Sequence, residues 1–167
     1  SLHRRQRQMC IRDSVRIIQD LGIEILGFFV IGWDDDSPET YRRTLDFCDE
    51  MNIIPFILTL VPMPGSQIYN EYLDRGRIFT ELSWDHYGGE SIVFKHPTMS
   101  SEEMHELNAQ VLQEGYSMGR VLARTFHTVK KRPSLSVAMN SFFTQTSLKK
   151  SFREQFKKEN SQKESWP

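Results

Sequence analysis

The chain has 167 residues, of which 38% are hydrophobic and 26% charged, and its formal net charge is −1 at pH 7. This length accommodates one domain, or one domain with an appendage, and the near-neutral charge argues against a protein that mainly binds nucleic acid. The sequence contains no run of 18 apolar residues and no apolar N-terminal signal, so no transmembrane or secretory segment is predicted. Two cysteines, Cys10 and Cys48, give no disulfide framework, and we expect a cytoplasmic location.

The first segment, residues 1–14, reads SLHRRQRQMCIRDS and is basic without an apolar period. Because MCIRDS resembles a translated sequencing-linker tail, we interpret these residues as an artefact, with a disordered basic arm as the alternative. Residues 15–21 show the pattern of the last turns of a helix. Gly22 is a suitable residue to end that helix.

A strand, a helix and a second strand follow in succession. The segment 23–32, IEILGFFVIG, is almost continuously apolar, as expected for a strand buried on both faces. Ser37 is a good N-cap and Pro38 a good first residue for the helix, and 54–61, IPFILTLV, is a second strand of the same kind. This β–α–β order predicts two parallel strands joined by a right-handed crossover. The helix is predicted to bury one face, formed by Tyr41, Leu45, Cys48 and Met51.

The two loops that follow these strands are the candidate binding site. In parallel α/β structures, ligands collect beyond the carboxyl ends of the strands, which here are 32–36 and 62–66. The first loop carries Trp33 and three acids, and the second, PMPGS, turns at Gly65. For the acids themselves, a solvated loop that complements the helix dipole is the simpler interpretation.

The remainder of the chain is predicted to be mostly helical. A short helix over 66–78 stops at Gly76, and an aromatic linker spans 79–99. Ser100 begins an amphipathic helix that ends before Pro133, with a break near Gly115 or Gly119. Its apolar face is predicted to comprise Met104, Leu107, Val111, Met118, Leu122 and Phe126. A last helix runs from about residue 135 to 158, and 159–167 is predicted to be a disordered tail.

These segments resemble a known family. GFFVIGWDDDSPETYRRTLDFCDEMNI, followed by TLVPMPGSQIYNEYLDRGRI, resembles the last two β/α units of a radical S-adenosylmethionine (SAM) domain, and is most similar to its cobalamin-binding branch. LSWDHYGGESIVFKHPTMSSEEM and the helix ending at GYSMGRVLAR resemble the helical C-terminal extension of part of that branch, which includes hopanoid-type methylating enzymes. The resemblance covers residues 15–130. It implies an α/β fold class, with the end of a partial (β/α)6, TIM-barrel-like domain at 15–78 and a helical extension at 100–158.

The resemblance also implies which residues bind SAM. The family's fifth strand carries the pattern G-x-I-x-G-x-x-E, whose backbone and apolar side chains contact adenine. Placing its second glycine at Gly32 puts Val30 at the apolar position and Asp35 at the acid, although Phe28 stands where the first glycine would be. Trp33 would stack on the base, and the end of the next strand would line its far side. The implied cofactor-binding set is Val30, Gly32, Trp33, Asp35, Pro62, Met63 and Gly65.

Other parts of the family's machinery are expected outside this sequence. The family's [4Fe–4S] cluster is held by a C-x-x-x-C-x-x-C triplet, which the sequence lacks, and Cys48 is predicted to be a buried inert thiol. We therefore expect the parent protein to hold the cluster, SAM and cobalamin, and this chain alone to hold none and to contribute no catalytic or metal-binding residue. Its expected partner is the missing N-terminal half of the same protein, and the expected substrate is a small molecule or lipid.

Alternative functions stay open at this stage. The first is the C-terminal segment of a radical SAM enzyme that transfers a methyl group or makes a related carbon-centred modification. The second is a non-catalytic helical interaction module on a degenerate α/β stub. Another TIM-barrel enzyme would need phosphate-binding glycines in its late loops, which the proline-rich PMPGS does not suit. His86, His96 and His105 are not spaced as a zinc site.

Overall fold

The structure, a computed structural model, describes the backbone of residues 2–88 and 91–162 and the side chains of 9–84, 86–88 and 91–154. Within these ranges the chain is α/β and mostly helical, as predicted. None of the helices described is both long and apolar enough to cross a lipid bilayer. The elements in order are α1 (Leu2–Asp20), β1 (Leu26–Ile31), α2 (Pro38–Met51), β2 (Ile54–Thr59), α3 (Gln67–Asp74), a 3-10 turn (Trp84–Gly88), α4 (Ser101–Gly115), α5 (Met118–Lys131) and α6 (Leu135–Gln162).

The two strands form a parallel pair, which confirms the predicted β–α–β topology. Their register runs from Leu26 beside Ile54 to Ile31 beside Thr59. The two loops therefore leave the sheet at the same end, the carboxyl end of both strands; they are Gly32–Asp36 and Pro62–Ser66. At this end the Leu60 N–H donates to the Ile31 carbonyl oxygen at 2.8 Å. This adjacency is the geometric condition that the predicted binding site requires.

Helix α2 packs on one face of the sheet as its sequence pattern predicted. Ser37 is its N-cap in an extended conformation, and Asn52 ends it with a φ of 50°, in the left-handed region. The Cys48 thiol is completely buried, and this burial raises its pKa to about 12. A thiol with so high a pKa is unreactive near neutral pH, in agreement with its predicted role in packing. The predicted buried face is confirmed and consists of Tyr41, Leu45, Cys48 and Met51.

The prediction that the first strand is buried on both faces is wrong. Alternate residues of β1 are exposed: Leu26 by 38%, Phe28 by 63% and Val30 by 46%. Successive side chains of a strand point to opposite faces, and α2 covers only the face opposite these three. The sheet thus has one packed face and one apolar face that is open along β1 in the part of the chain the structure describes.

The two edges of the sheet also differ. Alternate residues of a parallel strand bond to the same neighbour, and the Ile25 and Ile31 carbonyls accept from β2. The residues between, such as Phe28, therefore direct their N–H and C=O groups to the other edge of β1, where no strand of the described ranges pairs. At the outer edge of β2, the hydroxyl of Tyr116, the residue that follows α4, donates to the Pro55 carbonyl at 2.6 Å. Pro55 has no N–H to offer there, which suits a strand edge.

Two helices extend beyond their predicted limits. Helix α1 begins at Leu2, so helical backbone continues into residues 2–14, for which we expected an artefact or a disordered arm. Helix α6 continues to Gln162, into the predicted tail at 159–167, and residues 163–167 lie outside the described ranges. Both segments are rich in polar side chains and lack an apolar periodicity that would predict a helix. Many of these polar residues are nevertheless good helix formers.

The predicted helix from Ser100 is broken, as expected, near Gly115. The Ser100 hydroxyl caps α4 by accepting from the Glu103 N–H, and the break falls at Tyr116 and Ser117. The predicted apolar face is confirmed for Met104 and Val111, which are buried. It is wrong for three residues beyond the break, because α5 starts in a new direction and exposes Met118, Leu122 and Phe126.

Candidate functional site

The first loop of the candidate site is held by a single carboxylate. Asp36 Oδ2 accepts from the N–H groups of both Gly32 and Trp33 at 2.9 Å, and the Asp36 N–H donates to the Trp33 carbonyl at 2.8 Å. Gly32 has a φ of +124°, and a Cβ added to it would lie 3.2 Å from Leu60 Cβ and from Met104 Cε. The backbone there is consequently shaped by the chain's own packing, and the Gly32 amide is bonded within the loop.

The acid at position 34 belongs to an ion pair rather than to a solvated loop. Asp34 accepts two parallel hydrogen bonds of 2.8 Å from the guanidinium of Arg77 and a third of 2.7 Å from the Tyr72 hydroxyl. The guanidinium carbon of Arg77 lies 3.9 Å from the centre of the Tyr72 ring. Hydrogen bonds from Arg77, followed by that from Tyr72, lower the pKa of Asp34 to about 2. The pair fastens the first loop to the segment after α3.

We expect Asp34→Asn to reduce stability at neutral pH but not in acid. The folded-state pKa of Asp34 lies below the usual unfolded value of about 3.9, so its stabilisation is present above that value and is lost as pH falls towards 2. The side chain is 40% exposed, so solvent screening limits the loss at pH 7 to about 1 kcal/mol. Urea unfolding should show a smaller difference in the free energy of unfolding between Asp34→Asn and wild type at pH 2.5 than at pH 7. Asp35→Asn is the control, because it removes the same charge from the neighbouring residue. If that variant lost the same free energy of unfolding at pH 7 and recovered it in acid, the assignment to the Arg77 pair would be contradicted.

His96 ties the linker to the same loop in a defined tautomer. Its Nδ1 accepts from the N–H groups of Thr98 and Met99, at 3.3 and 3.2 Å, so this nitrogen carries no proton. Its Nε2 therefore carries the hydrogen, and donates it to the Trp33 carbonyl at 2.8 Å. The Trp33 backbone is held from both sides, by Asp36 and by His96.

The second loop is a tight turn of the kind its sequence predicted. The Ser66 N–H donates to the Met63 carbonyl at 3.0 Å, and Gly65 has a φ of +88°. Proline at the second position and a left-handed glycine at the third are characteristic of a type II turn. The Ser66 hydroxyl then caps α3 by accepting from the Tyr69 N–H. The Met63 side chain, which begins the turn, is 50% exposed.

The predicted cofactor-binding residues divide into surface and interior groups. Val30, Trp33 and Met63 are 46–51% exposed, and Asp35 and Gly65 are also exposed. Val30 is near the end of β1, and the other four residues lie in the loops that follow the two strands. Gly32 and Pro62 are buried in the chain's own packing. The side chains of three exposed residues at the strand ends are accordingly apolar. Val30 lies on the open face of β1, Trp33 lies in the loop after β1, and Met63 lies in the loop after β2.

Several residues that shape this site were missed by sequence reasoning. Arg77 and Tyr72 hold Asp34, and His96 holds Trp33, across separations of 38 to 63 residues. The sequence around each of these residues contains no pattern that would predict a hydrogen-bond partner so far away along the chain. No group of three or more His, Cys, Asp or Glu side chains in the described ranges is arranged to hold a metal ion.

The chain is similar to three curated methyltransferases. It is 31% identical over 103 residues to bacteriochlorophyllide d C-12(1)-methyltransferase of Chlorobaculum tepidum, which is 61% of this chain and 22% of that protein. It is 27% identical over 120 residues to bacteriochlorophyllide d C-8(2)-methyltransferase of the same organism, or 70% of this chain and 26% of that protein. An uncharacterized methyltransferase of Pyrococcus horikoshii is 26% identical over 113 residues, or 67% and 24%. The chain thus spans about a quarter of the length of these relatives. No protein-family model matches the sequence.

Proposed function

We propose that the chain is the C-terminal part of a cobalamin-binding radical SAM methyltransferase. In this proposal it contributes the last two β/α units of the barrel and the helical extension, and the missing N-terminal half is its main partner. The observation that carries the proposal is the open side of the sheet at β1, where, among the described residues, an unpaired strand edge adjoins an exposed apolar face.

The open side has the properties of a joint within a larger sheet. A two-stranded sheet that is packed on only one face exposes apolar surface that a complete α/β domain would bury. A preceding parallel strand would pair with the free edge of β1, and its neighbours would enclose Leu26, Phe28 and Val30 as the interior of a barrel. The hydrogen bond from Tyr116 to the Pro55 carbonyl, at the outer edge of β2, fits the end of an incomplete barrel. This asymmetry is what the proposed arrangement requires.

Methyl transfer is supported by the three relatives, all of which are named methyltransferases. Two of them are named for bacteriochlorophyllide d. For this chain we propose a methylation role on a small molecule or lipid, with SAM as the co-substrate.

The residues of this chain fit part of a SAM site and do not fit the cluster. Exposed apolar side chains at the strand ends, Val30, Trp33 and Met63, offer a surface to an adenine ring and would exclude water from it. Bound in a complete barrel, SAM supplies the reactive group. The two cysteines, by contrast, lie on different helices, and Cys48 has no solvent access, so cluster binding is assigned to the missing half.

The test begins with the coding sequence upstream of residue 15. The longer protein should contain the C-x-x-x-C-x-x-C triplet and, after anaerobic reconstitution with iron and sulfide, should cleave SAM when a reductant is supplied. In that protein we expect Trp33→Ala to weaken SAM binding by about tenfold, because base stacking contributes roughly 1–3 kcal/mol. Calorimetric titration with SAM measures this. Trp84→Ala is the matched control, since Trp84 is exposed but lies in the linker.

The alternative is a non-catalytic interaction module. A complete reading frame without the cysteine triplet, or a longer protein that holds a cluster yet does not cleave SAM, would overturn the enzyme proposal. Equal SAM affinity in Trp33→Ala and wild type would leave the barrel but overturn the placement of the adenine.

A further inference from the structure

Charge is distributed very unevenly along the chain. Residues 118–153 contain eight Lys and Arg side chains and no Asp or Glu, whereas the whole chain carries −1, so the remaining residues carry −9. This basic segment is α5, the connection at 132–134 and most of α6, which pack against each other as a helical hairpin. The hairpin is therefore a cationic unit attached to an acidic body.

The same hairpin exposes two apolar stripes. Each stripe consists of three residues spaced four apart, which places them along one side of a helix. Their exposed fractions range from 48% to 77%. The α5 stripe is Met118, Leu122 and Phe126, and the α6 stripe is Leu135, Met139 and Phe143.

Both stripes face away from the rest of the protein. On α5, Arg120 and Arg124 reach Asp49 of α2, and each stripe residue lies two positions from one of them. Two positions on a helix correspond to roughly 200°, so the stripe occupies the opposite side. On α6, Ser141 and Gln145 contact α5, and Met139 and Phe143 stand two positions from Ser141 in the same way. Each helix of the hairpin thus presents an apolar stripe on its outer side.

Cations accompany this apolar surface. Lys130 and Arg132 at the end of α5, and Arg153 towards the end of α6, are exposed. Lys150 is also exposed, and its Nζ lies 3.9 Å from Glu154 Oε1 on the same helix. Arg120, Arg124 and Lys131 are instead paired with acids of the body. An exposed apolar stripe accompanied by an excess of Lys and Arg over carboxylates is the pattern of helices that lie in the headgroup region of a membrane.

We propose that this hairpin binds the surface of an anionic lipid membrane. The six stripe residues enter the boundary between headgroups and acyl chains, and the exposed cations contact lipid phosphates. A symmetric dimer through the same face would set the exposed cations of the two copies against each other. Nucleic acid would leave the apolar stripes exposed to water. An anionic bilayer matches both the charge and the apolar area.

The test is co-sedimentation of the 167-residue chain with vesicles of phosphatidylcholine alone or with one third phosphatidylglycerol. We expect binding to the anionic vesicles, weakened at least tenfold in 0.5 M NaCl because the attraction is screened. Leu122→Ser with Phe126→Ser should reduce binding by about tenfold or more, since apolar insertion is lost. Trp84→Ser is the control, because Trp84 and Phe126 are both 72% exposed. Circular dichroism verifies that each variant keeps its helices.

Other outcomes overturn the proposal. Absence of binding to anionic vesicles, or an unchanged affinity in the stripe variant, would exclude insertion of this face. Equal binding to neutral and anionic vesicles would exclude the role of the cations. If the chain does not bind vesicles but forms a dimer in sedimentation velocity, and the stripe variant abolishes that dimer, the surface is an interface with a second copy.

Discussion

Gly32→Ala is expected to lower the free energy of unfolding by about 3 kcal/mol, through two separate physical effects. A residue with a Cβ is strained at a φ of +124°, and the new methyl group would lie 3.2 Å from both Leu60 Cβ and Met104 Cε. Leu60 follows β2 and Met104 lies in α4, and both are buried, so neither yields without disturbing the core. The loss is therefore the sum of backbone strain and overpacking.

Gly65→Ala separates the two effects. Gly65 also has a left-handed backbone, with a φ of +88°, but an added Cβ meets no atom of the described residues within 4 Å. We expect this variant to lose only about 1 kcal/mol, from strain alone. Urea unfolding followed by circular dichroism measures both variants. Losses of equal size would show that the contacts with Leu60 and Met104 contribute nothing, contrary to the packing described for Gly32.

The sequence was sufficient to predict the central β–α–β unit because its signals are local. Apolar runs marked both strands, and Ser37 and Pro38 marked the start of α2. A strand–helix–strand order then fixed parallel pairing, and with it the adjacency of the two loops. The PMPGS turn was equally accessible, because a type II turn needs glycine at one defined position.

Contacts between distant residues were not accessible in this way. The pairing of Asp34 with Arg77 joins residues 43 apart, and each looks like an ordinary surface charge in its own segment. The sequence therefore indicated a solvated acid where the structure has a fixed ion pair. Sequence also does not say whether an apolar residue is covered. Phe28 in β1 and Phe126 in α5 follow core-like periodicities, yet they are 63% and 72% exposed.

Removal of one buried cation should have the other large effect on stability. We expect Arg124→Met to lower the free energy of unfolding by about 3 kcal/mol. Arg124 is 3% exposed, and its Nε donates to Gln145 Oε1 at 2.8 Å, while its Nη2 donates to the Gly115 carbonyl at the end of α4. Methionine keeps much of the apolar stem but leaves both oxygens without their donor. Thermal and urea unfolding measure the loss.

Arg120→Met is the matched comparison, because Arg120 contacts the same Asp49 from a position that is 28% exposed. A partly exposed pair contributes about 1 kcal/mol or less, so this variant should lose far less than Arg124→Met. Losses of similar size would mean that the shared charge of Asp49, and not the buried hydrogen bonds, accounts for the stabilisation.

A double-mutant cycle with Gln145→Met identifies which hydrogen bond matters. Gln145 is completely buried, and its Oε1 is left without the Arg124 donor when arginine is replaced. Replacing both partners removes that unsatisfied oxygen along with the donor, so the double variant should be more stable than the sum of the single losses predicts, by about 1–2 kcal/mol. Simple additivity would mean that the two side chains act independently. The cost of losing Arg124 would then arise at the Gly115 carbonyl, where its guanidinium bridges the break between α4 and α5.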